Sequence, residues 1–337
     1  MAQSPPERLR INLHRHWWLC FGLLWTLSGI AGEPVATVQR LSEFRQVDVA
    51  RLLTGEVLTE RGPLMDFPNG ISAQTCFAVN LSAAEVARRL QGWSPASHPE
   101  LKVSVFHILP ALCRAEDFSQ LQLNSTLKPV RWLVGKTVAK SGLNLSRTEA
   151  TDLASSSNVT DGWVKMLAAR VTAFQQQGWD GIAPYEAAGK ATSPVKQLRA
   201  LLCDQAEIAL EFAPVLRKSG LLAGAVDAPA VPVYYWSWFE ANHHATLNLG
   251  AAYRVEEGER WQVADVEYYV SGDYYTAVTL YEIWPVTGGT LVWRVDLFAA
   301  PMLEYTKGIE RLAYEVMMVH EIKQETRCMI QDLKEKQ

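Results

Sequence analysis

Apolar positions recur every second residue in some stretches of this chain and every three to four residues in others, and the two periods divide it into elements. "VDVARLLTGEVLTER" reads as a helix end or turn followed by a strand around Glu56 to Glu60, and "AQTCFAVN" (Ala73 to Asn80) alternates like a strand. In "LSAAEVARRLQGW", Ser82 precedes Glu85 by three residues, the spacing of a capping box, ahead of the i, i+4 apolar pair Val86 and Leu90. That predicts a helix ending near Gly92, after which "LKVSVFHILP" (Leu101 to Pro110) is a further strand.

From about Leu143 to Ala225 the pattern turns helical. A second Ser-x-x-Glu box (Ser146, Glu149) opens it, and Val164, Leu167, Ala168, Val171 and Phe174 keep a helical period up to Gly178. Four strand-like runs follow between Val233 and Phe298: "VYYWSWFEA", "ATLNLGAAYRVE", "VADVEYYVSGDYYTAVTLYEIWPV" as a hairpin, and "GTLVWRVDLF". Adjacent strands joined by turns argue for an antiparallel sheet. The chain closes on a long amphipathic helix with Ile309, Leu312, Ala313, Val316, Val319, Ile322 and Met329 near one face. The expected fold is α+β: a bent antiparallel sheet gripping a long C-terminal helix. It is built from residues 33–142 and 226–337, with a helical insertion over 143–225.

Two stretches carry a resemblance. "FAVNLSAAEVARRLQGWSPASHPEL" looks like the early strand, helix and loop of the START-like lipid-transfer and polyketide-cyclase superfamily (SRPBCC, helix-grip), and "GGTLVWRVDLFAAPMLEYTKGIERLAYEVMMVHEIKQETRCMIQDL" resembles its last strand, break and gripping helix. The resemblance implies a hydrophobic or amphipathic small molecule, such as a lipid or aromatic metabolite, held between sheet and helix. It also implies that Met317 and Met318 on that helix supply a pliable apolar lining. The helical segment departs from the compact form of that superfamily.

Composition narrows the partners. With 337 residues, a formal charge of −4 and no long basic run, the chain is globular and is not expected to bind nucleic acid. Arg8, Arg10, His14 and Arg15 precede an apolar run from Trp17 to Gly32 that is too short to span a bilayer. Residues 1–32 are therefore expected to be a secretory signal, sending the chain to a periplasmic or extracellular space. In such a compartment Cys76, Cys113, Cys203 and Cys328 could form disulfides or remain buried thiols, and their wide spacing without a CxxC pair predicts no zinc cluster. "PVRWLVGKTVAKSGL" (Pro129 to Leu143) has the charge to touch an anionic membrane surface, but is read as a sheet edge and its turn.

Candidate chemistry gathers in the hairpin. A two-residue turn there would place Tyr268, Tyr275 and Tyr281 with small apolar residues on one face, and Asp265, Glu267 and Glu282 with Tyr269 and Tyr274 on the other; a three-residue loop would swap the second strand's sets. The tyrosine face is expected to floor a ligand pocket. The carboxylates are read as a solvated face paired with Arg254 or Arg294, with Asp265, Glu267 and the helix residue His320 kept as weaker acid–base candidates for a cyclase- or hydrolase-like enzyme. Trp236 and Trp238 are read as core. Adjacent His243 and His244 point apart, so a metal would also have to draw on His98, His107 or His320, at no recognisable spacing. No metal or cofactor is expected, a carrier is placed ahead of an enzyme, and a pocketless envelope protein is the third reading. Oligomeric state is not legible.

Overall fold

In a computed structural model, residues 33–124, 126–186 and 191–335 are described. The expected signal segment lies outside them. The chain enters through α1 (Glu33–Leu41) and α2 (Val49–Leu53), then forms β1 (Leu58–Arg61) and β2 (Gly70–Val79). In α3 (Ala83–Gln91), Ser82 Oγ accepts the Glu85 N–H at 3.3 Å, while the Glu85 carboxylate turns to Arg88 and Arg89 rather than back to the cap. After β3 (Val103–Leu109) come α4 (Lys128–Ala139), α5 (Arg147–Ser155), α6 (Val159–Gln177), α7 (Pro194–Asp204), α8 (Ala206–Glu211) and α9 (Ala213–Lys218). The second capping box closes in full: Ser146 Oγ accepts from Glu149 N–H, and Glu149 accepts from Ser146 N–H at 2.7 Å. Strands β4 (Val233–Ala241), β5 (His244–Glu257), β6 (Arg260–Val270), β7 (Thr276–Val286) and β8 (Gly289–Ala299) then run as a meander before α10 (Ile309–Glu335).

The fold is α+β. Its eight-stranded antiparallel sheet has the order β1-β2-β8-β7-β6-β5-β4-β3, so the meander is flanked by strands from the first part of the chain. One face is covered by the helical segment, whose Trp163, Phe212 and Leu216 share a single core with Trp236, Trp238, Leu249 and Trp293 of the sheet. On the other face α3 and the second half of α10 enclose a smaller core, where Met329 and Leu333 meet Phe77, Val263, Ile283 and Val292.

Two local expectations fail. The stretch read as a sheet edge is helix α4: a proline at its start suits the first turn, and Val130, Leu133 and Thr137 are buried at i, i+3 and i+7. Its β-branched residues mimic a strand, but burial on one stripe decides. The apolar stripe read on the last helix does not face the protein in its first half, where Ile309, Leu312 and Val316 are 86%, 43% and 55% exposed. The buried line runs instead through Glu315, Ile322, Thr326, Met329 and Leu333. Polar anchors set that rotation: Glu315 meets Arg61 at 2.9 Å, and Arg311 donates to the carbonyls of Pro68 and Gly70.

Candidate functional site

The β6–β7 connection decides which side chains meet. It is five residues long, Ser271–Tyr275, and the register pairs Asp265 with Thr279 and Val263 with Tyr281. An odd loop joins odd positions to odd positions, so the second strand's sets are exchanged relative to a two-residue turn. The loop is held by Asn144, whose amide donates to Val270 O at 3.0 Å and to Tyr274 O at 2.7 Å. Asp273, at φ +65°, accepts from the Thr246 hydroxyl at 3.0 Å.

A second irregularity lies in β6 itself. Pairing with β5 jumps from Leu249–Tyr269 to Gly250–Glu267, leaving Tyr268 as the extra residue of a bulge. Both tyrosines thereby turn to the helical face: Tyr268 stacks on Phe174 with ring centroids 4.2 Å apart, and the Arg170 guanidinium sits 4.2 Å from the Tyr269 ring. Tyr275 stacks on Tyr185 on the same side. Tyr281 is on the opposite face with Met329. The three tyrosines expected to floor one pocket are thus divided between two faces. Glu282 also crosses over, to a buried position beside Gln262 (2.6 Å) and Arg260 (3.3 Å).

What remains on the face shared with α10 is a polar cluster. Asp265 and Glu267 project from the same side of β6, two residues apart, and both are partly exposed on a sheet that is otherwise largely buried. Tyr235 of β4 donates to Asp265 Oδ1 at 2.8 Å. Its ring reaches there by crossing Gly250 of β5, where an added Cβ would overlap it. Tyr274 donates to Glu267 Oε2, and Asn248 donates to Glu267 Oε1 at 2.5 Å. Asn248 is itself held by the Ser237 hydroxyl at 2.5 Å. Phe298 meets the Tyr274 ring edge-on, and Phe106 stacks on Tyr235, giving the cluster an aromatic border on each side. The floor between is low, with Gly250, Ala252, Ala277 and Thr279 beside the two carboxylates.

The electrostatics favour protons here. Burial in the sheet raises Asp265 to about 6, although the bond from Tyr235 opposes it, and burial raises Glu267 to about 7 against the bond from Tyr274. Beside them, Arg294 of β8 binds Asp296 through Nε at 2.8 Å and reaches Glu325 of α10 at 2.8 Å, tying the helix to the sheet. Arg294, named from the sequence as a partner for these acids, is therefore committed first to Asp296 and Glu325.

The other candidates lie apart. Met317 is 48% exposed on the outer side of α10, Met318 is half-buried, and His320 is exposed and outside the hydrogen-bond sets of both carboxylates. His243 sits with Asn242 in a two-residue turn, both at positive φ, while the His244 ring stacks on Trp132 at 3.8 Å. The four cysteines are free thiols; Cys76 and Cys328 are buried, and Cys203 is exposed. Two shallow clefts, of about 340 and 370 Å³, lie elsewhere, the first beside α1 and α8 and the second along the end of α10; neither is lined by Asp265 or Glu267. No helix among the described residues is long and apolar enough to cross a membrane.

Tyr235 and Asn248 escaped the sequence reading, which gave the strand "VYYWSWFEA" to its tryptophans. The signal was present: in an alternating strand with Trp236 and Trp238 in the core, Tyr235 and Ser237 must face the other way. A scan of the chain against protein-family models finds no match, and no curated protein matches it.

Proposed function

We propose that this chain is an exported helix-grip binding protein that takes a small amphipathic molecule between the sheet and α10, with the guest's polar head on Asp265, Glu267, Tyr235 and Tyr274. One observation carries the reading: two partly exposed carboxylates stand in the middle of a sheet face, each fastened by hydroxyl or amide donors from other strands. Burying such groups costs stability unless each finds partners, and folding alone would be served better by apolar residues. An amine or hydroxyl head would donate to the acids, and the borders at Phe106 and Phe298 would receive the apolar body. The exposed apolar side of α10 at Leu312, Val316 and Met317 is a surface such a guest could use on its way in.

The test is native mass spectrometry of protein purified from its own host, before and after organic extraction. Extraction is expected to release a small molecule bearing a hydrogen-bonding head. The double variant Asp265→Asn, Glu267→Gln is expected to lose it while keeping its circular dichroism. Correctly folded wild-type protein that yields no small molecule would count against the carrier.

One observation favours an enzyme on the same face. Asp265 and Glu267 are held at about 6 and about 7, so near neutrality one carboxyl can give a proton while its neighbour accepts one. That reading requires turnover of the extracted molecule, with a rate that depends on pH through this range and vanishes in Glu267→Gln.

A further inference from the structure

A second cluster lies away from the carboxylate face, where the connection between α3 and β3 meets the last turns of α10. His98 stands between two short 3-10 turns, Pro95–Ser97 and Pro99–Leu101, whose prolines restrict the backbone on either side. His98 as a residue is 8% exposed, and Cys328 of α10 is 6% exposed. Ligand atoms of His98, Glu100 and Cys328 all lie within 4.8 Å of one another. The Glu100 carboxylate is 3.3 Å from Cys328 Sγ and 3.9 Å from His98 Nδ1. Tetrahedral zinc with bonds of roughly 2.0–2.3 Å places its ligand atoms about 3.3–3.8 Å apart, so these two separations are close to what the ion requires, and the remaining pair, within 4.8 Å, would draw in by up to about 1 Å on binding.

The surrounding residues complete the arrangement. His98 Nε2, the ring nitrogen turned away from Glu100, lies 3.1 Å from Asp332 Oδ1 and is buried without a well-aligned hydrogen bond. The other oxygen of Asp332 accepts from the Trp93 indole N–H at 2.8 Å, which fixes the carboxylate. A carboxylate behind the far nitrogen of a ligating imidazole selects the tautomer that leaves the near nitrogen free for a metal.

We propose that His98 Nδ1, Glu100 and Cys328 Sγ bind one zinc-class divalent cation, with Asp332 orienting the imidazole and the fourth position open to solvent on the exposed Glu100 side. Thiolate, imidazole and carboxylate are together a donor set for this class of ion. The site differs from the zinc cluster that cysteine spacing excludes, because it takes a single cysteine and closes over 230 positions of sequence. On binding, the Cys328 S–H bond breaks, the sulfur–metal bond forms and the proton leaves to the buffer. In the metal-free chain the Cys328 thiol is buried and donates to Glu100, so the metal itself must displace this proton. Bound metal would pin the α3–β3 connection to α10.

The experiment is titration of the reduced full chain with Co2+ alone and then with Zn2+ alone, following thiolate-to-cobalt charge-transfer absorption and proton release. One ion per chain is expected, with a charge-transfer band that Zn2+ abolishes and release of about one proton at neutral pH. Cys328→Ser should remove the band, and Asp332→Asn should weaken binding by roughly 10–100-fold. Glu100→Gln, at an exposed position that leaves the fold intact, should weaken it by at least about ten-fold, whereas Cys203→Ser should change nothing. Sub-stoichiometric binding, a band that persists undiminished in Cys328→Ser, or an affinity unchanged in Glu100→Gln would each overturn the proposal.

Discussion

Tyr235 on the fourth strand donates its hydroxyl proton to Asp265 on the sixth, and its ring lies across Gly250 of the strand between them. A missing side chain on one strand is thus the condition for a hydrogen bond between its two neighbours. Gly250→Ala is expected to push the ring aside and to destabilise the protein by roughly 1–3 kcal/mol, the usual range for overpacking. Tyr235→Phe keeps the ring and loses only the bond, for about 1.5–3 kcal/mol when Asp265 is ionised and less when it is protonated. Urea unfolding of the two variants at pH 5 and pH 8 checks both effects: each loss should grow at the higher pH because each variant gives up the bond to Asp265, and the glycine variant should keep an additional overpacking loss at pH 5.

Raised carboxyl pKa values give stability a definite slope with pH. Glu282 is raised by burial to about 8, and Glu267 to about 7. Between the unfolded value near 4.3 and these folded values, the native chain binds more protons than the unfolded one, so this contribution is full below about pH 4 and declines as pH rises. The loss approaches about 1.4 kcal/mol per pH unit for one such group. Glu282→Gln should flatten the wild-type curve between about pH 4 and pH 8, and Glu267→Gln should do so only up to about pH 7. Chemical denaturation across that range checks both; a variant curve parallel to wild type would refute the assignment for that residue.

Arg294, held by Asp296 on its own strand, links the sheet to α10 through Glu325 and Thr326. Arg294→Met leaves Asp296 fully buried without its cation and should cost roughly 3–5 kcal/mol, whereas Arg294→Met combined with Asp296→Leu should recover much of that loss. Hydrogen exchange should show the second half of α10 opening first in the single variant, because its polar tie is cut while the sheet's ladder is untouched.

Ser146 closes a reciprocal cap whose glutamate also accepts from Arg170 at 2.6 Å. Ser146→Ala should cost about 1 kcal/mol, and Ser82→Ala somewhat less, since Glu85 serves two arginines instead of its cap. Paired thermal melts would test the order of the two.

The elements were largely legible because packing and local pattern agree. "VYYWSWFEA" coincides with β4, and the terminal helix begins at Ile309 as its period implied. α4 escapes the reading although Val130, Val134 and Val138 recur at helical spacing behind Pro129, because β-branched valines taken one by one favour a strand. The α+β plan was readable in the order of elements, but the rotation of α10 was not, because Arg311 and Glu315 outvote Ile309 and Leu312 only when β1 and the carbonyls of Pro68 and Gly70 are in place. At the carboxylate face, Asp265 and Glu267 could be singled out from β6 alone. Their partners could not, since Tyr235 arrives across a glycine and the loop that assigns faces has no strong two-residue turn signal. His98 and Cys328 lie furthest from view: no local period connects a connection after α3 to the last turns of α10.

The bulge at Tyr268 and the odd connection from Ser271 to Tyr275 act as two phase changes within eight residues. Each adds one residue to an arithmetic that runs modulo two, so together they choose which chemistry each side of the sheet displays. Substitution in this segment alters one contact at a time. A single-residue insertion or deletion would instead transfer Thr279, Tyr281 and Ile283 to the helical side and bring Glu282 onto the face of Asp265. The segment should therefore tolerate changes of letter far better than changes of length, and a one-residue deletion between Gly272 and Tyr274 should do more harm than any point mutation there.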